Sequence, residues 1–199
     1  MKISVCTIGH LDDNSAKPLV DALLPLVPPR RRAEALRYKS ALRQYMTLKS
    51  FCMLQDIVGH PLPDWQTGEY GKPYYDAQQP IFFSLSHCRH AIAVAVADHP
   101  VGIDVESIDR RLTPDLVRYT MNTAEQADIF KGAELSGNFA IDPVIFLSYW
   151  TRKEAYLKLV GTGINGDMKD VLVNLPPDIV LSTTSCPEQN YVLTTAEQK

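Results

Sequence analysis

Several features that this 199-residue chain lacks limit what it can be. Its 20 Lys and Arg residues are balanced by 23 Asp and Glu, and a net charge of −3 gives no overall basic surface for nucleic acid. The longest uncharged apolar run, residues 91–97, is far too short to span a bilayer. The opening letters MKISVC indicate a strand and lack a signal-peptide pattern. We therefore predict a cytoplasmic protein that binds neither nucleic acid nor a membrane.

Cysteine is sparse and scattered. The four cysteines show no CxxC pair and no spacing typical of metal ligands; they are Cys6, Cys52, Cys88 and Cys186. Cys88 follows Ser86 and His87, but neighbouring side chains at the end of a strand point apart, which disfavours a catalytic thiol. We interpret all four as ordinary thiols of a cytosolic protein.

The segment VGIDVE, residues 101–106, has the alternation of a strand with one acidic face. Side chains on a strand point to opposite faces in turn, so Asp104 and Glu106 share a face. Their Cα atoms are then about 6.5–7 Å apart, and both carboxylates can lean toward one hard cation such as Mg²⁺. Periodicity alone favours equally well the solvated outer face of an edge strand.

The segment WTRKEAYLK, residues 150–158, has helical spacing. Glu154 and Lys158 are four residues apart and can meet on one face of a helix, and Lys153 adds a second cation. Trp150 and Leu157 lie on or near the same stripe, which is typical of a core boundary or a cleft wall. Taken alone, an ordinary surface ion pair explains this pattern better.

The rest of the chain indicates a mixed α+β fold. Apolar residues at intervals of three and four predict helices, at about residues 18–27, 30–38, 40–58, 116–133 and from 142 onward. Short apolar runs between turn residues predict strands, at about 2–8, 69–70, 81–85, 91–97, 101–106, 171–173, 179–181 and 191–193.

The order of four short motifs resembles a known family. GKP at residues 71–73 and FSLSH at residues 83–87 precede the acidic strand and the KEA helix. In this order and with similar spacing, they resemble the signature of the 4′-phosphopantetheinyl transferases, in particular the Sfp-type group. The resemblance spans roughly residues 30–166.

The resemblance implies an architecture that periodicity does not give. It implies two similar α+β subdomains related by a pseudo-twofold axis, with the active site in the cleft between them. We expect an N-terminal subdomain at residues 1–100 on the 3′-phosphate side of coenzyme A. A C-terminal subdomain at 101–199 would carry the metal site and the catalytic helix. A monomer is then the expected state.

The resemblance also implies a reaction. The enzyme would transfer the 4′-phosphopantetheine arm of coenzyme A to a serine of an apo acyl or peptidyl carrier protein, and 3′,5′-ADP would leave. Asp104 and Glu106 would hold Mg²⁺, for which Mn²⁺ could substitute. Glu154 would be the third metal ligand or the base that accepts the serine proton. Lys158 would contact the pyrophosphate near the attacked phosphorus.

Six further side chains are implied to contact coenzyme A. They are basic or hydroxyl residues from the matching motifs and their surroundings: Arg31, Arg43, Lys72, Ser86, His87 and Lys153. Three have ready alternatives: the run of three arginines that contains Arg31 is usually a solvated helix face, and Ser86-His87 could simply end a strand. The chain is also shorter than typical Sfp-type members, chiefly between Arg30 and Arg43, which puts the adenosine-side contacts in more doubt than the metal site.

Two other functions fit the same residues. A different metal-dependent phosphoryl enzyme, such as a hydrolase of the coenzyme A pyrophosphate, could use the same three carboxylates. A module that binds coenzyme A without catalysis would also use the basic residues.

Overall fold

The computed structural model describes residues 1–75, 81–130, 141–164 and 166–199, and its fold is α+β, which confirms the predicted class. The strands are β1 (Lys2–Thr7), β2 (Gln66–Thr67), β3 (Pro73–Tyr74), β4 (Phe82–His87), β5 (Ala91–Ala97), β6 (Val101–Ser107), β7 (Ile179–Cys186) and β8 (Tyr191–Gln198). The helices are α1 (Asp13–Leu23), α2 (Pro29–Leu36), α3 (Ala41–Val58), α4 (Pro114–Thr120), α5 (Thr123–Ile129) and α6 (Pro143–Val160). Among these helices, none combines the length and the apolar character needed to cross a bilayer.

The first sheet has the order β1-β5-β4, and all its pairs are antiparallel. Its central strand β5 is apolar on both faces, since it is covered on both. Ile92 and Val94 point into a core formed with α1, α2 and α3, while Ala91, Ala93 and Ala95 point toward the second sheet.

The second sheet has the order β6-β8-β7 and is also antiparallel. Ile103 and Val105 of β6 pack against the alanines of the first sheet. The opposite face of β6, which carries Asp104 and Glu106, lies under α6. Asp104 is 4% exposed, so the acidic face of this strand is not the solvated outer face that periodicity equally allowed.

The two halves of the chain repeat one connectivity. Each half begins with a strand, continues through helices to an 18-residue helix, and ends in a hairpin. The second strand of the hairpin lies between the opening strand of that half and the first strand of the hairpin. Both long helices, α3 and α6, have a polar N-cap and end at a glycine in the left-handed region, Gly59 and Gly161.

Two serine side chains join the sheets. Ser84 Oγ accepts a hydrogen bond from Ile103 N at 3.0 Å, and Ser86 Oγ accepts one from Val105 N at 3.2 Å. Because β6 is an edge strand of its sheet, these amides would otherwise be buried without a partner. The hydroxyls of β4 therefore continue, through side chains, the hydrogen bonding that a neighbouring strand would supply.

Three predicted elements were wrong in detail. The helix predicted at 116–133 is two helices, because Asn122 and Glu125 form a capping box that starts α5 after a break; residues 131–133 lie outside the described part. The strand predicted at 171–173 is a turn that follows a short 3₁₀ helix at Met168–Asp170. The short strand predicted at 69–70 is instead the turn between β2 and β3.

Candidate functional site

The site lies where α6 crosses β6 with the two backbones in direct contact. A Cβ atom at Gly102 would overlap the carbonyl oxygen of Ala155 and lie 2.7 Å from Leu159 N. Only glycine lets the two backbones touch in this way. The close crossing brings the acidic face of the strand within reach of Glu154 and Lys158 on the helix.

Asp104, Lys158 and Ser86 form one hydrogen-bonded cluster. Lys158 Nζ donates to Asp104 Oδ1 at 2.6 Å and to Ser86 Oγ at 3.0 Å, and Ser86 Oγ donates to Asp104 Oδ1 at 2.8 Å. The other oxygen, Asp104 Oδ2, is buried without a hydrogen-bond partner. Since such an oxygen is costly unless something binds it, the cluster is prepared for a cation or a donor from a ligand.

Glu106 is the second carboxylate of the strand and is held from two sides. Arg110 Nη1 and Trp150 Nε1 both donate to its Oε1, at 3.0 and 3.2 Å, and the Arg110 guanidinium lies 5.0 Å from the Trp150 ring centroid. Burial raises the pKa of Glu106 above its ordinary value, and the negative charge of Asp104 raises it further.

Glu154 is half-buried on the adjoining turn of α6. Burial raises the pKa of Glu154, with the charge of Asp104 as the second cause and a smaller contribution from Glu106, so the three carboxylates lie close enough to repel one another. Glu154 and Lys158 line a cavity of about 280 Å³ whose opposite wall is formed by residues 70–73 and strand β4.

Lys72, the lysine of the GKP motif, binds the end of the same helix. Its Nζ donates to the carbonyl oxygen of Leu159 at 2.6 Å, and its chain packs on Gly161. Burial lowers the pKa of Lys72. A cation at a helix C-terminus is favoured by the helix dipole, so Lys72 ties the first half of the chain to α6.

His87 and Arg43 lie at the open side of the cluster. The side chain of His87 remains open to solvent, yet desolvation by the surrounding protein lowers its pKa, and the positive charges of Lys158 and Arg43 lower it further. Arg43 is exposed on the first turn of α3, with its guanidinium 5.9 Å from the Tyr38 ring centroid.

Comparison with known sequences identifies the family. The sequence profile of the 4′-phosphopantetheinyl transferase superfamily matches residues 100–198, which include the acidic strand and α6. The transferase AcpT of Salmonella typhi is 32% identical over 160 residues, which cover 77% of this chain and 72% of that protein. The chain belongs to the 4′-phosphopantetheinyl transferase superfamily. The family predicted from the motifs is thereby confirmed.

Two further members of the superfamily show how much of the chain is shared. The 4′-phosphopantetheinyl transferase psf-1 of Bacillus pumilus is 29% identical over 184 residues, 89% of this chain and 76% of its own. The transferase gsp of Aneurinibacillus migulanus is 28% identical over 127 residues, and the match spans 64% of this chain and half of that protein.

Lys153 corrects one expectation for this member of the superfamily. It was predicted to contact phosphate beside Glu154, but its side chain is fully buried on another face of α6. Its Nζ donates to Glu125 Oε2, to Met168 O and to Thr120 O, at 2.6, 2.8 and 3.0 Å. All three ammonium hydrogens are therefore used inside the protein.

Arg31 is also held away from the cluster. Its guanidinium lies 4.2 Å from the Trp65 ring centroid and pairs with Glu34 and, at 3.6 Å, with Asp64. Two carboxylates already compensate its charge, so the predicted phosphate contact does not fit Arg31 as the structure places it. Arg31 lines, together with Arg30 and Arg37, a groove of about 410 Å³ that adjoins the first cavity at Gly71 and Pro73.

Ser86 needs a similar correction of role. The prediction gave its hydroxyl a phosphate contact, but that oxygen already donates to Asp104 and accepts from Val105 N and Lys158. One donor and two acceptor positions are all that a hydroxyl has. Ser86 therefore orients the carboxylate and the lysine.

Sequence reasoning missed the residues that support Glu106. Trp150 was assigned to the apolar stripe of the helix, whereas its indole N–H donates to the carboxylate. Arg110 was not connected with the metal site, although it follows Glu106 by four residues on the turn after β6. A tryptophan at a core boundary usually finds a partner for its N–H, which is the signal that pointed to a nearby acceptor.

Proposed function

We propose that the chain transfers the 4′-phosphopantetheine arm of coenzyme A to a serine of an apo acyl or peptidyl carrier protein and releases 3′,5′-ADP. One observation carries the proposal: the Asp104–Lys158–Ser86 cluster lies where the two sheets meet, with Asp104 buried, Lys158 partly exposed, and Glu106 and Glu154 beside it. Such a cluster gathers carboxylates for a cation and a lysine for a phosphate at a place that a substrate can reach.

In the proposed reaction, the serine oxygen of the carrier protein bonds to the β-phosphorus of coenzyme A, and the bond from that phosphorus to the bridging oxygen breaks. The bridging oxygen leaves with 3′,5′-ADP, and the serine proton passes to Glu154. We propose Glu154 as the base only where it is not bound to the metal ion, because a metal-bound carboxylate is a weaker base. Lys158, fixed by Asp104 and Ser86, donates to the pyrophosphate, so that positioning and charge neutralisation supply most of the catalysis.

The donor atoms at the site fit Mg²⁺, with Mn²⁺ as a substitute. In the described part of the chain, no three His, Cys, Asp or Glu side chains are gathered tightly enough to enclose a metal ion. Mg²⁺ commonly needs only one or two carboxylates and keeps water and substrate phosphates as its other ligands. Asp104 Oδ2 is a buried oxygen with no partner, and we propose it as the first ligand, with Glu106 as the second and Glu154 as either the third ligand or the base. When bound, the ion would neutralise charge on the pyrophosphate.

The phosphates of coenzyme A would meet the two side chains at the open side of the cluster. Arg43 and His87 lie on the side of Lys158 where solvent has access, and we propose that they bind the 3′-phosphate end of the nucleotide. Lys72 lines the cavity beside Glu154, and its ammonium is already bound to the end of α6. We propose that it contacts the part of coenzyme A that enters this cavity.

The repeated connectivity supports two subdomains related by a pseudo-twofold axis, with residues 1–100 in one and 101–199 in the other. The proposed division of labour follows the sheets, since the exposed cations come from the first half and the carboxylates from the second. We propose that the enzyme acts in the cytoplasm as a monomer, because both halves of the site belong to one chain.

The decisive experiment incubates the protein with coenzyme A, Mg²⁺ and several apo carrier proteins and weighs each carrier by mass spectrometry. We expect a gain of one phosphopantetheine arm on the carrier serine, and no gain for a carrier whose serine is replaced by alanine. Hydrolysed coenzyme A with an unmodified carrier would indicate a pyrophosphate hydrolase instead. Bound coenzyme A without turnover would indicate a binding module.

A further inference from the structure

A fully buried ion pair lies directly behind the reacting face of α6. Lys153 Nζ and Glu125 Oε2 are 2.6 Å apart, and the side chains of the two residues are 0% and 6% exposed. Lys153 immediately precedes Glu154 in the chain, yet its charge faces α4, α5 and the turn at Met168. We propose that Lys153 is a positioning residue that fixes the rotation of α6 and thereby aims Glu154 and Lys158. This inference rests on the transferase function proposed above.

The three acceptors of Lys153 come from three separate segments. Thr120 is the last residue of α4, Glu125 lies in the first turn of α5, and Met168 begins the 3₁₀ helix. Glu125 Oε2 also accepts from Asn122 N at 2.8 Å, as part of the capping box of α5. The ammonium therefore binds α6 to all three segments at one point.

Because of helix geometry, fixing Lys153 also fixes the directions of the other side chains on α6. Successive side chains on an α-helix are about 100° apart, so a helix fixed at Lys153 has its neighbour Glu154 fixed in direction as well. A second contact stops the helix from sliding, because Ala155 presses on the backbone of Gly102. A third lies one turn earlier, where Thr151 Oγ1 is 2.7 Å from Thr194 Oγ1 on β8. Contacts on several faces leave α6 a single orientation.

Stability alone does not account for a buried ion pair of this kind. Removing two charges from water is costly, and replacing both partners with apolar residues is often neutral or stabilising. The pair does specify geometry, since its charge-assisted hydrogen bonds are short and directional. An apolar replacement of both residues would therefore keep the fold, but Glu154 and Lys158 would no longer be held in one direction.

Direct contact with a phosphate is excluded for Lys153 as it is placed. Its side chain is fully buried, and each of its three hydrogens has an acceptor within 3.0 Å. A direct contact and a positioning role also predict different kinetics. Loss of a phosphate contact weakens coenzyme A binding, whereas loss of aim lowers kcat at an unchanged affinity.

The test compares Lys153→Met, the double variant Lys153→Met with Glu125→Met, and the control Arg152→Met. Arg152 is the adjacent cation on the same helix and is not part of the buried network. Melting temperature, the Kd for coenzyme A, and kcat and KM for an apo carrier are measured for each variant. We expect the single variant to melt lower, because Glu125 is left buried and unpaired, and the double variant to recover part of that loss, since the capping acceptor of Asn122 N is still missing.

In the double variant, kcat should still fall by about 10²-fold, the cost of misplacing a reacting group by about 1 Å, while the Kd for coenzyme A stays within about twofold. The control should keep wild-type kcat. A double variant with wild-type kcat would show that the pair is only structural. A Kd that weakens as much as kcat/KM falls would show a direct contact. Either result overturns the proposal.

A spectroscopic measurement tests the rotation of α6 without relying on activity. Trp150 lies on α6 one turn before Glu154, and the chain has only one other tryptophan, Trp65. In a Trp65→Phe background, the double variant should change the near-ultraviolet circular dichroism of Trp150, and Arg152→Met should not. An unchanged Trp150 signal would overturn the proposal even in a protein that modifies no carrier. A changed signal without carrier modification in the wild type would instead locate the failure in the proposed function.

Discussion

At the scale of single residues, the two oxygens of Asp104 have different surroundings. Oδ1 accepts from both Lys158 and Ser86, whereas Oδ2 is buried without a partner. A carboxylate fixed through one oxygen leaves the other aimed and available. Because of this asymmetry, we expect the site to tolerate a substitution of Asp104 least well.

We expect Asp104→Ala to abolish phosphopantetheine transfer while the fold remains intact. Lys158, which would lose its carboxylate, is 30% exposed and can be solvated, so the cost to stability should be small. Carrier modification by mass spectrometry and the melting temperature measure the two effects. Asp115→Ala removes a carboxylate that is 96% exposed and serves as the matched control. Full activity of Asp104→Ala at saturating Mg²⁺ would contradict the metal assignment.

Lys158→Ala should act mainly on turnover. A donor aimed at developing charge is typically worth about 10²–10³-fold in kcat, so we expect a loss of that size with a smaller change in KM. Steady-state kinetics with an apo carrier supply the measurement, and Lys17→Ala, which removes an exposed lysine of α1, is the control. An unchanged kcat would remove Lys158 from the transition state.

Single residues also show where sequence reasoning reached its limit. Alternation along VGIDVE correctly placed Asp104 and Glu106 on one face, because a strand has a period of two. Helical spacing only marked Lys153 as a second cation next to Glu154, and the family resemblance implied that it contacts a phosphate. On a helix, adjacent side chains diverge, and Lys153 points into the protein.

At the scale of secondary-structure elements, the crossing of β6 and α6 determines the site. A Cβ atom at Gly102 would overlap Ala155 O, so the crossing leaves no room for a side chain. The neighbouring atoms are backbone, which cannot move aside without shifting the helix. The direction of the helix and the placement of the carboxylates thus depend on one missing methyl group.

Gly102→Ala should therefore destabilise the protein by about 3 kcal/mol or more, at the upper end of the usual cost of overpacking. Urea unfolding provides the free energy of unfolding. The control is Gly68→Ala, because a Cβ there would meet only Lys72 O, at an ordinary 3.5 Å. Equal free energies of unfolding for the two variants would mean that α6 can move away from β6 without destabilising the protein.

The boundaries of elements were predicted less well than their existence. Apolar spacing predicted one helix where α4 and α5 lie, since their apolar residues remain in phase across the break. The decisive residues are the polar Asn122 and Glu125, which satisfy each other's backbone amides and start a new helix. Caps of this kind are visible in a sequence only when they are sought inside a periodic run.

At the scale of the whole molecule, the two sheets are joined by side chains of β4 as well as by the apolar packing of β5 on β6. Ser84 and Ser86 take the place of a neighbouring strand along the edge of β6. Ser84 belongs to this junction. The hydrogen bond that the structure shows for its hydroxyl joins it to Ile103 N and not to the carboxylate cluster. It therefore tests the junction separately from the chemistry.

We expect Ser84→Ala to lower the free energy of unfolding by about 1–3 kcal/mol, because the buried amide of Ile103 loses its acceptor. Chemical denaturation measures the change, and Ser182→Ala on the exposed part of β7 is the control. A loss no larger than that of the control would mean that another group satisfies Ile103 N.

The repeat of connectivity could not be derived from residue patterns. The halves share element order and sheet order, but a fold of this kind constrains only where apolar and turn residues fall, and many sequences satisfy that constraint. The expectation of two similar halves came from the family motifs alone. Physical reasoning from periodicity reached the α+β class and stopped there.

The hydrogen bonds of the cluster have a consequence for how the protein folds. They join residues far apart along the chain: 18 residues separate Ser86 from Asp104, 54 separate Asp104 from Lys158, and 87 separate Lys72 from Leu159. Contacts of such high order form slowly and late. The central strand of the second sheet, β8, is also the last of the described strands in chain order. The acidic strand β6 therefore has no neighbour in its sheet until β8 has been synthesised, so a nascent chain gains the backing of its carboxylates only after α6 and β7 have emerged.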